Sequence, residues 1–278
     1  MALFGRAVTV EFGQEGTPGL RHTGLRVSFS VQADRTPEPN TATIEIYNLN
    51  EASLDLLEGP RGLVRLLVGY GDELGTPPIP RLAFQGNPVR GGVVTRKQGP
   101  DRITTIEASD GGRAYQLRAV DIVHATPVSA SAVVAQIAAQ LGLPLGAPIA
   151  PATDIQMTQG VLFSGPARQI LDRLARSTGS RWMIVDGLFF FVARSVPIPG
   201  AAPLLSSTKG NLLGAPAKKR DGKIEVRALM DTALRPGRPF VVESTDINGV
   251  FVATAVQFRG DSGYEPPFEA VVTGIRRT

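Results

Sequence analysis

Glycine and proline limit the folding of this 278-residue chain more than any other feature, because it carries 31 glycines and 22 prolines. Together they form about a fifth of the residues, against the roughly 12% usual in globular proteins. Both residues destabilise helix interiors, so short strands joined by turns are favoured over long helices. With 42% hydrophobic and 19% charged residues, the chain has a globular composition, and its length suggests about two domains. An all-helical bundle is excluded.

The first third of the chain alternates between apolar and polar residues. The alternation runs through residues 25–32 and resumes in residues 41–47. A period of two places alternate side chains on one face of a half-buried strand. We therefore predict that four side chains point into the core of a first β unit: Val27, Phe29, Ile44 and Ile46.

One short helix and more strands complete this first unit. Asn50 is a plausible N-cap, and Gly59 and Pro60 form a stop signal, which predicts a helix between them. Residues 71–80 form a proline-rich loop. Strands are predicted in residues 63–68, 82–86, 89–95 and 102–109, so five or six strands fit a small barrel or sandwich.

The middle of the chain changes to a helical period. Ser129 caps a first amphipathic helix that ends at Gly142. A second helix is predicted with Ser164 as its cap, Pro166 in its first turn and Gly179 as its stop. These two helices indicate an α+β module rather than a continuation of the β unit.

A hairpin and a linker follow the helices. Asp186 and Gly187 lie between two β-rich runs, which predicts a two-residue turn with positive φ. The proline-rich residues 197–203 are the best candidate for a linker between the α+β module and the last third of the chain. Alternation then returns, and strands are predicted in residues 224–228, 240–243, 250–258 and 268–275.

Residues suited to catalysis or metal binding are scarce. Cysteine is absent, and the two histidines are His22 and His124. Without cysteine there is no thiolate nucleophile, and a zinc site would need carboxylates to complete it. A relay of His124 with Asp121 and Ser129 or Ser131 lacks any positioning signal, so a histidine at a strand end is favoured. His22 is interpreted as a surface loop residue.

Other chemical signatures also have structural explanations. Residues 69–75 have one residue too many for a dinucleotide-binding loop, and prolines follow where a helix should begin. Asp110, followed by two glycines, favours a turn. Glycoside hydrolysis requires a pair of carboxyl groups at a defined distance, and the sequence does not provide the distances between Asp101, Glu107, Asp110 and Asp261. We predict no catalytic, cofactor-binding or metal-binding residue.

The charge pattern does not identify a nucleic-acid-binding protein. The net charge is only +4, although 24 of the 29 basic residues are arginines. The basic residues 218–223 are typical of a tight turn, and they would meet phosphate only if several copies surrounded a channel. The phenylalanines at 189–191 favour a strand buried on both faces over a base-stacking surface. No run of about 18 apolar residues predicts a membrane-spanning helix, and the N-terminus lacks a signal peptide pattern.

The order of several segments resembles tail and baseplate hub proteins of tailed bacteriophages. Residues 40–50 resemble a pattern of that family and precede a short helix and a strand, as they do there. The resemblance continues in order along nearly the whole chain, through residues 64–71, 84–86, 101–111, 163–165, the hairpin at Trp182, 210–216 and 234–237.

The resemblance implies a mainly β fold with an α+β insert. Two tube-protein-like β-barrels (residues 1–118 and 204–278) would flank a small α+β domain (residues 119–203). Three chains would form a ring that adapts a sixfold tail tube to a threefold central spike, without a cofactor. The implied partners are the tail tube or distal tail protein, the spike and other baseplate proteins, and DNA would pass through the channel without specific binding.

Two other functions remain open. A distal tail or tube-initiator ring protein shares the barrel but normally lacks the middle module, and a cell-wall glycan hydrolase is the third reading. The resemblance implies synthesis in the host cytoplasm and a location in the virion baseplate. Ring assembly through barrel edges would make surface arginines partners in inter-barrel ion pairs, although solvated strand faces explain them too. The predicted interface residues are Arg65, Arg90, Arg96, Arg227 and Arg259.

Overall fold

The computed structural model describes residues 4–14, 17–59, 62–71, 80–111, 119–263 and 267–277, and these are mainly β. The helices are α1 (Glu51–Glu58), α2 (Ala130–Leu141) and α3 (Ala167–Ser177). The strands, in chain order, are β1 (Phe4–Gln14), β2 (Thr17–Thr23), β3 (Val27–Asp34), β4 (Thr41–Tyr47), β5 (Gly62–Gly71), β6 (Arg81–Gln98), β7 (Asp101–Ser109), β8 (Ala119–His124), β9 (Val128–Ser129), β10 (Gln156–Met157), β11 (Val161–Pro166), β12 (Ser180–Val185), β13 (Leu188–Ala193), β14 (Leu204–Ser206), β15 (Ala217–Lys218), β16 (Ile224–Leu229), β17 (Pro239–Glu243), β18 (Asn248–Asp261) and β19 (Phe268–Arg276).

A single sheet joins the two ends of the chain. Within the described residues it has 13 strands, and the order of its main path is β15, β16, β19, β18, β3, β4, β7, β6, β5, β1 and β2. Off this path, β17 pairs with β18, and β14 pairs with β17. The junction is the antiparallel pair of β3 and β18, where Val31 lies opposite Phe258. One continuous hydrophobic core contains side chains from both ends. The first and last thirds therefore fold together, although the middle module separates them in sequence.

The predicted burial pattern of the first strands is confirmed. Val27, Phe29, Ile44 and Ile46 are each at most 5% exposed. Their neighbours in sequence lie on the opposite face, because successive side chains of a strand alternate. The strands predicted in the last third are also present as β16, β17, β18 and β19.

The local signals for helix ends and for the hairpin are confirmed as well. The side chains of Asn50 and Ser129 each accept a hydrogen bond from a backbone N–H in the first turn of α1 and α2. Gly142 ends α2 with a φ of 70°, a left-handed conformation that glycine adopts without strain. Asp186 and Gly187 have φ values of 54° and 76°, as the two-residue turn between β12 and β13 requires.

A short segment around Leu212 connects the strands of the last third in a circuit. Leu212 forms an isolated antiparallel bridge with Ala228 of β16. Beside it, the amide of Asn211 donates to the Leu204 carbonyl and accepts from the Ser206 N–H, both at 2.7 Å. The Asn211 side chain thus bonds the backbone groups on the edge of β14 that does not face β17, as a neighbouring strand would. The circuit therefore runs from β16 through β19, β18, β17 and β14 back to β16.

The middle module has a hydrophobic core of its own. Helices α2 and α3 and the hairpin of β12 and β13 contribute to it, including the side chains of Ile137, Leu171 and Trp182. The three consecutive phenylalanines of β13 are between 0% and 3% exposed. The prediction of a strand buried on both faces is confirmed, and these rings are not available to stack on bases.

Two sequence predictions about polar residues are wrong. Ser164 does not cap α3; it lies in β11, and its hydroxyl donates to Asp121 at 2.5 Å. Pro166 occupies the cap position and offers no side-chain hydrogen bond, because β11 continues up to the first turn of the helix. His22 does not lie in a surface loop. It belongs to β2, where its ring nitrogen is 2.7 Å from the Ser53 hydroxyl.

The predicted linker has no regular secondary structure, but part of it is buried. Residues 197–203 form no strand or helix, but Ile198 is 2% exposed and its N–H donates to the Gly237 carbonyl at 2.8 Å. The segment is thus packed against the last third at this point. Of the predicted loop at residues 71–80, residues 72–79 lie outside the described residues.

We expect Tyr70→Phe to destabilise the protein by about 1–2 kcal/mol, because Tyr70 links the two ends of the chain. Its hydroxyl donates to the Phe268 carbonyl at 3.0 Å and accepts from the Met230 N–H at 3.3 Å. Urea unfolding measures the change. The matched control is Tyr47→Phe, which also removes a phenol hydroxyl but keeps its ring beneath Arg26. Equal losses in both variants would contradict the linking role.

Candidate assembly surfaces

The outer surface of the sheet is a continuous polar face. It is formed by the outward side chains of β16, β19, β18, β3, β4 and β7 and of the outer half of β6, and the opposite surface of these strands is the core. Strand register places most of its members side by side: Ser28, Ser30, Gln32, Thr41, Thr43, Glu45, Thr105, Glu107, Gln257, Arg259 and Thr273. Small hydroxyl and amide side chains dominate, which suits a hydrated or protein-contacting surface.

Two of the predicted interface arginines meet on this face. Arg227 and Arg259 flank Glu269, whose carboxylate is only 2% exposed. Arg227 donates to one carboxylate oxygen at 2.9 and 3.1 Å, and the Nε of Arg259 donates to the other at 2.5 Å. The pair neutralises a carboxylate that would otherwise be costly to bury, and both guanidiniums remain about half exposed. One net positive charge is left at the surface.

The other three predicted arginines do not contact this pair, although Arg96 lies on the same polar face. Arg65 in β5 donates to Gln85 at 2.7 Å, and Arg96 in β6 donates to Glu45 at 3.2 Å. Arg90, also in β6, is exposed and has no ion-pair partner in the part of the chain that the structure describes. The structure thus brings Arg227 and Arg259 together and leaves the other three apart. Their role between barrels stays a prediction.

A second polar site, which we call the joint, connects three parts of the chain. It consists of Asn40 and Asp110 from the first third, Asp186 from the hairpin turn, and Arg235 from the last third. Asn40 donates to the Ile184 carbonyl at 3.0 Å. Asp110 accepts from the Gly187 N–H at 3.0 Å, and Arg235 donates to Asp186 at 2.6 Å. The sequence identified the turn but gave no signal that the turn is a contact point.

Burial makes Asp110 an unusual acid. Its side chain is 2% exposed, and burial together with the nearby Asp186 carboxylate raises the pKa of Asp110 to about 7. Hydrogen bonds from the Gly187 N–H and from the Asn40 amide oppose this rise. The joint therefore holds a carboxyl group that changes charge near neutral pH, between the middle module and the sheet.

We expect the joint to make stability depend on pH. The pKa of Asp110 is about 7 in the folded chain and near 3.8 when unfolded, so the folded state holds this proton more tightly. The stabilisation is complete below about pH 4 and is lost as pH rises through 7, with a total of at most a few kcal/mol. Urea unfolding at pH 5 and pH 8 would measure it, with Asp110→Asn as the control. A difference between wild type and variant that is the same at both pH values would contradict this role.

The residues considered for catalysis do not form a site. Asp101 begins β7, Glu107 lies on the polar face, and Asp261 ends β18. His124 ends β8, where its ring contacts Gln136 at 3.0 Å instead of a serine. Ser131 donates to Asp154, and no cluster of three or more metal-binding side chains occurs within the described residues.

The two glycine-rich or basic segments have structural roles. Gly69 and Gly71 belong to β5, and residues 72–75 lie outside the described residues. The basic residues 218–223 make the turn between β15 and β16, as predicted, with the Lys219 N–H donating to the Lys223 carbonyl at 2.8 Å. Lys219 and Lys223 each pair with a carboxylate. None of the helices described is long and apolar enough to cross a bilayer.

Comparison with known proteins finds likeness in structure alone. No protein-family model matches the chain, and no curated protein is detectably similar in sequence. A tail protein from Neisseria meningitidis aligns over 98% of this chain and 96% of its own, with 12% identity and a TM-score of 0.63. The 43 kDa tail protein of prophage MuSo2 from Shewanella oneidensis aligns over 98% of both chains, with 10% identity and a TM-score of 0.62.

A third structure extends the likeness beyond phages. It is an E. coli component of the type VI secretion system, described as similar to the T4 bacteriophage tail proteins gp27 and gp5. It aligns over 96% of this chain and 77% of its own, with 11% identity and a TM-score of 0.61. At 10–12% identity, individual residues cannot be matched between this chain and the three proteins. The chain therefore has the fold that phage tail proteins share with this secretion component.

Proposed function

We propose that this protein is a structural component of a phage tail, and that it forms the hub of the baseplate. The observation that carries the proposal is the alignment over nearly the full length of two tail proteins, from the first strand to the last. A shared module would align over only part of each chain. The middle module lies within the aligned region, which favours a hub over a distal tail or tube-initiator ring protein.

The hub is proposed to contain two tube-protein-like barrels. The circuit of β16, β19, β18, β17 and β14, connected through Asn211, supports a barrel in residues 204–278. The seven strands described between residues 4 and 109, with α1 beside them, support another in residues 1–118. The separate core of the α+β domain supports its assignment to residues 119–203. The two barrels share the pair of β3 and β18 along one side.

Three such chains would present six barrels around a channel. We propose a homotrimer with the sixfold tail tube or distal tail protein on one side and the threefold spike on the other, in contact with other baseplate proteins. DNA would pass through the channel without sequence-specific contacts, because phosphate contacts alone carry no sequence information. The protein would act in the virion baseplate after synthesis in the host cytoplasm.

The proposed role is not enzymatic. The carboxylates considered for glycan hydrolysis, Asp101, Glu107, Asp110 and Asp261, have separate local partners or positions, and Asp110 is buried in the joint. A glycosidase needs two carboxyl groups facing one another across a substrate, about 5–10 Å apart. Turnover of purified cell wall that one carboxylate substitution abolishes would overturn this part of the proposal.

Counting copies tests the hub assignment. Mass photometry of the purified 29.4 kDa chain, alone and mixed with its tube and spike partners, should give particles with three copies. Six copies in one ring would assign the protein to a distal ring instead. A chain that stays monomeric with both partners present would contradict the proposed trimer and the hub assignment.

A further inference from the structure

An acidic cleft of about 410 Å³ crosses the polar face where the first and last thirds meet. Its floor is one row of residues on four neighbouring strands, in the order Glu225, Thr273, Ala255 and Asp34. The short side chains of Thr273 and Ala255 leave the space, and a carboxylate stands at each end. Neighbouring strands are about 4.8 Å apart, so the two acidic residues are about 14 Å apart along the row.

The lining of the acidic cleft suits a cation. The side chains of Gln32, Thr41 and Gln257 add amide and hydroxyl oxygens to the two carboxylates. At the rim, Glu225 pairs with Lys219 at 2.5 Å, and both side chains stay more than a third exposed. An incoming guanidinium or ammonium group would thus find several oxygen acceptors and the Asp34 carboxylate, and at the other end it would share the Glu225 carboxylate with Lys219.

A cationic ribbon projects from another part of the same sheet. It consists of residues 93–98 of β6 with the paired residues 101–106 of β7. The inner half of β6 pairs with β5 up to Gly86, but between Pro88 and Val93 the register shifts, and the outer half pairs only with β7. Residues 94–98 are all exposed. Within the described residues, this part of β6 is therefore a free sheet edge.

The ribbon carries one cation, Lys97, that is not paired inside the chain. Arg96 pairs with Glu45 and Arg102 with Glu51, and Asp101 at the turn accepts a hydrogen bond from Asn48. Lys97 is exposed and has no ion-pair partner among the described residues. The free edge of β15 also carries a lysine, Lys218, whereas Arg21 on the free edge of β2 pairs with Glu11. Lysine on a free edge is a common protection against unwanted strand pairing.

We propose that the cationic ribbon of one copy docks in the acidic cleft of a second copy, with Lys97 next to Glu225. Within one chain, Thr41 of the cleft pairs with Ser109 of β7, whereas the ribbon lies at the other end of that strand, at residues 101–106, so the ribbon does not reach its own cleft. Contact between two different surfaces is heterologous, and repeated around an axis it closes a ring. The inference rests on the proposed trimer and adds the surfaces that hold it together.

A charge-swap experiment tests the docking. Lys97→Glu and Glu225→Lys are made singly and together, and the dissociation constant of the trimer is measured by mass photometry at low salt. Each single variant should weaken the trimer by at least about 10-fold, since close charge pairs at interfaces couple strongly. The double variant should recover to within about 3-fold of wild type, because the pair is restored in reverse. Higher salt should weaken the wild-type trimer and reduce these differences.

Two controls separate docking from local effects. Lys209→Glu makes the same charge change at an exposed site outside both surfaces and should leave the trimer intact. Lys219→Ala removes the local partner of Glu225 and should also leave it intact. Circular dichroism confirms that each variant is folded.

The outcomes distinguish the docking from the hub proposal. A wild-type trimer that neither single substitution weakens would overturn the docking and leave the hub assignment standing. The trimer of Lys97→Glu could also stay intact while its binding to the tube or spike partner is lost. The ribbon would then bind another protein, and the docking proposal would be overturned. A wild-type chain that stays monomeric with its partners present would overturn both proposals.

Discussion

Replacing Arg235 with methionine is expected to destabilise the protein by about 3–5 kcal/mol, the usual effect of breaking a buried ion pair from one side. Arg235 is 6% exposed, and its guanidinium donates to Asp186 at 2.6 Å and to the Leu82 carbonyl at 2.6 Å. It also donates to the Thr232 and Leu234 carbonyls. Methionine fills much of the space but satisfies none of these oxygens. It also leaves the Asp186 carboxylate without its cation.

A double variant separates lost charge pairing from lost packing. In Arg235→Met with Asp186→Asn, the unpaired carboxylate is gone, so part of the stability should return. Asparagine tolerates the positive φ of 54° at position 186, so the turn should keep its shape. Urea unfolding gives both free energies. A loss below about 1 kcal/mol in the single variant would mean that the arginine does not hold the three parts of the chain together.

Ile44→Ala should lower the free energy of unfolding by about 2–5 kcal/mol, because it removes buried methyl groups and leaves a cavity in the core. Ile44 is 0% exposed and lies in β4, opposite Phe29 on one side and Ile106 on the other. Ile44→Val removes one methyl group and should cost about 0.5–1.5 kcal/mol. Thr43→Ala, on the polar face, should change stability by less than about 0.5 kcal/mol. Similar losses at positions 43 and 44 would show that the wrong face is assigned to the core.

Local sequence patterns predicted most elements with a simple period or a strong cap. The alternation of β3 and β4, the caps Asn50 and Ser129, and the turn at Asp186 all depend on neighbours in sequence, so they can be read without knowing the fold. Strand β1 is not among the predicted elements, although Val8, Val10 and Phe12 alternate in it. For β2, with a proline, a glycine and a histidine, no such signal existed.

Contacts between distant residues could not be predicted in this way. The joint combines residues that are 77 positions apart in sequence, Asp110 with Gly187, and 49 positions apart, Asp186 with Arg235. Asp110 lies in the predicted turn, but nothing in its local pattern indicates that its carboxyl group is buried. The ion pairs of the arginines could not be predicted either. Arg227 and Arg259 are expected at the surface from the sequence, but nothing in it indicates that both pair with Glu269. The acidic cleft likewise depends on strand register, which a single sequence does not specify.

The pairing of β3 with β18 has a consequence for synthesis. Ser28 lies opposite Asp261, so β3, which is synthesised early, can pair with β18 only after most of the chain has been synthesised. At about 5–20 residues per second, translation of the intervening chain takes roughly 10–50 s. During that time β3 has a bare edge, and apolar side chains such as Val31 lack their final partners. The nascent protein should therefore need protection by chaperones, and truncation before β18 should yield aggregates instead of a folded fragment.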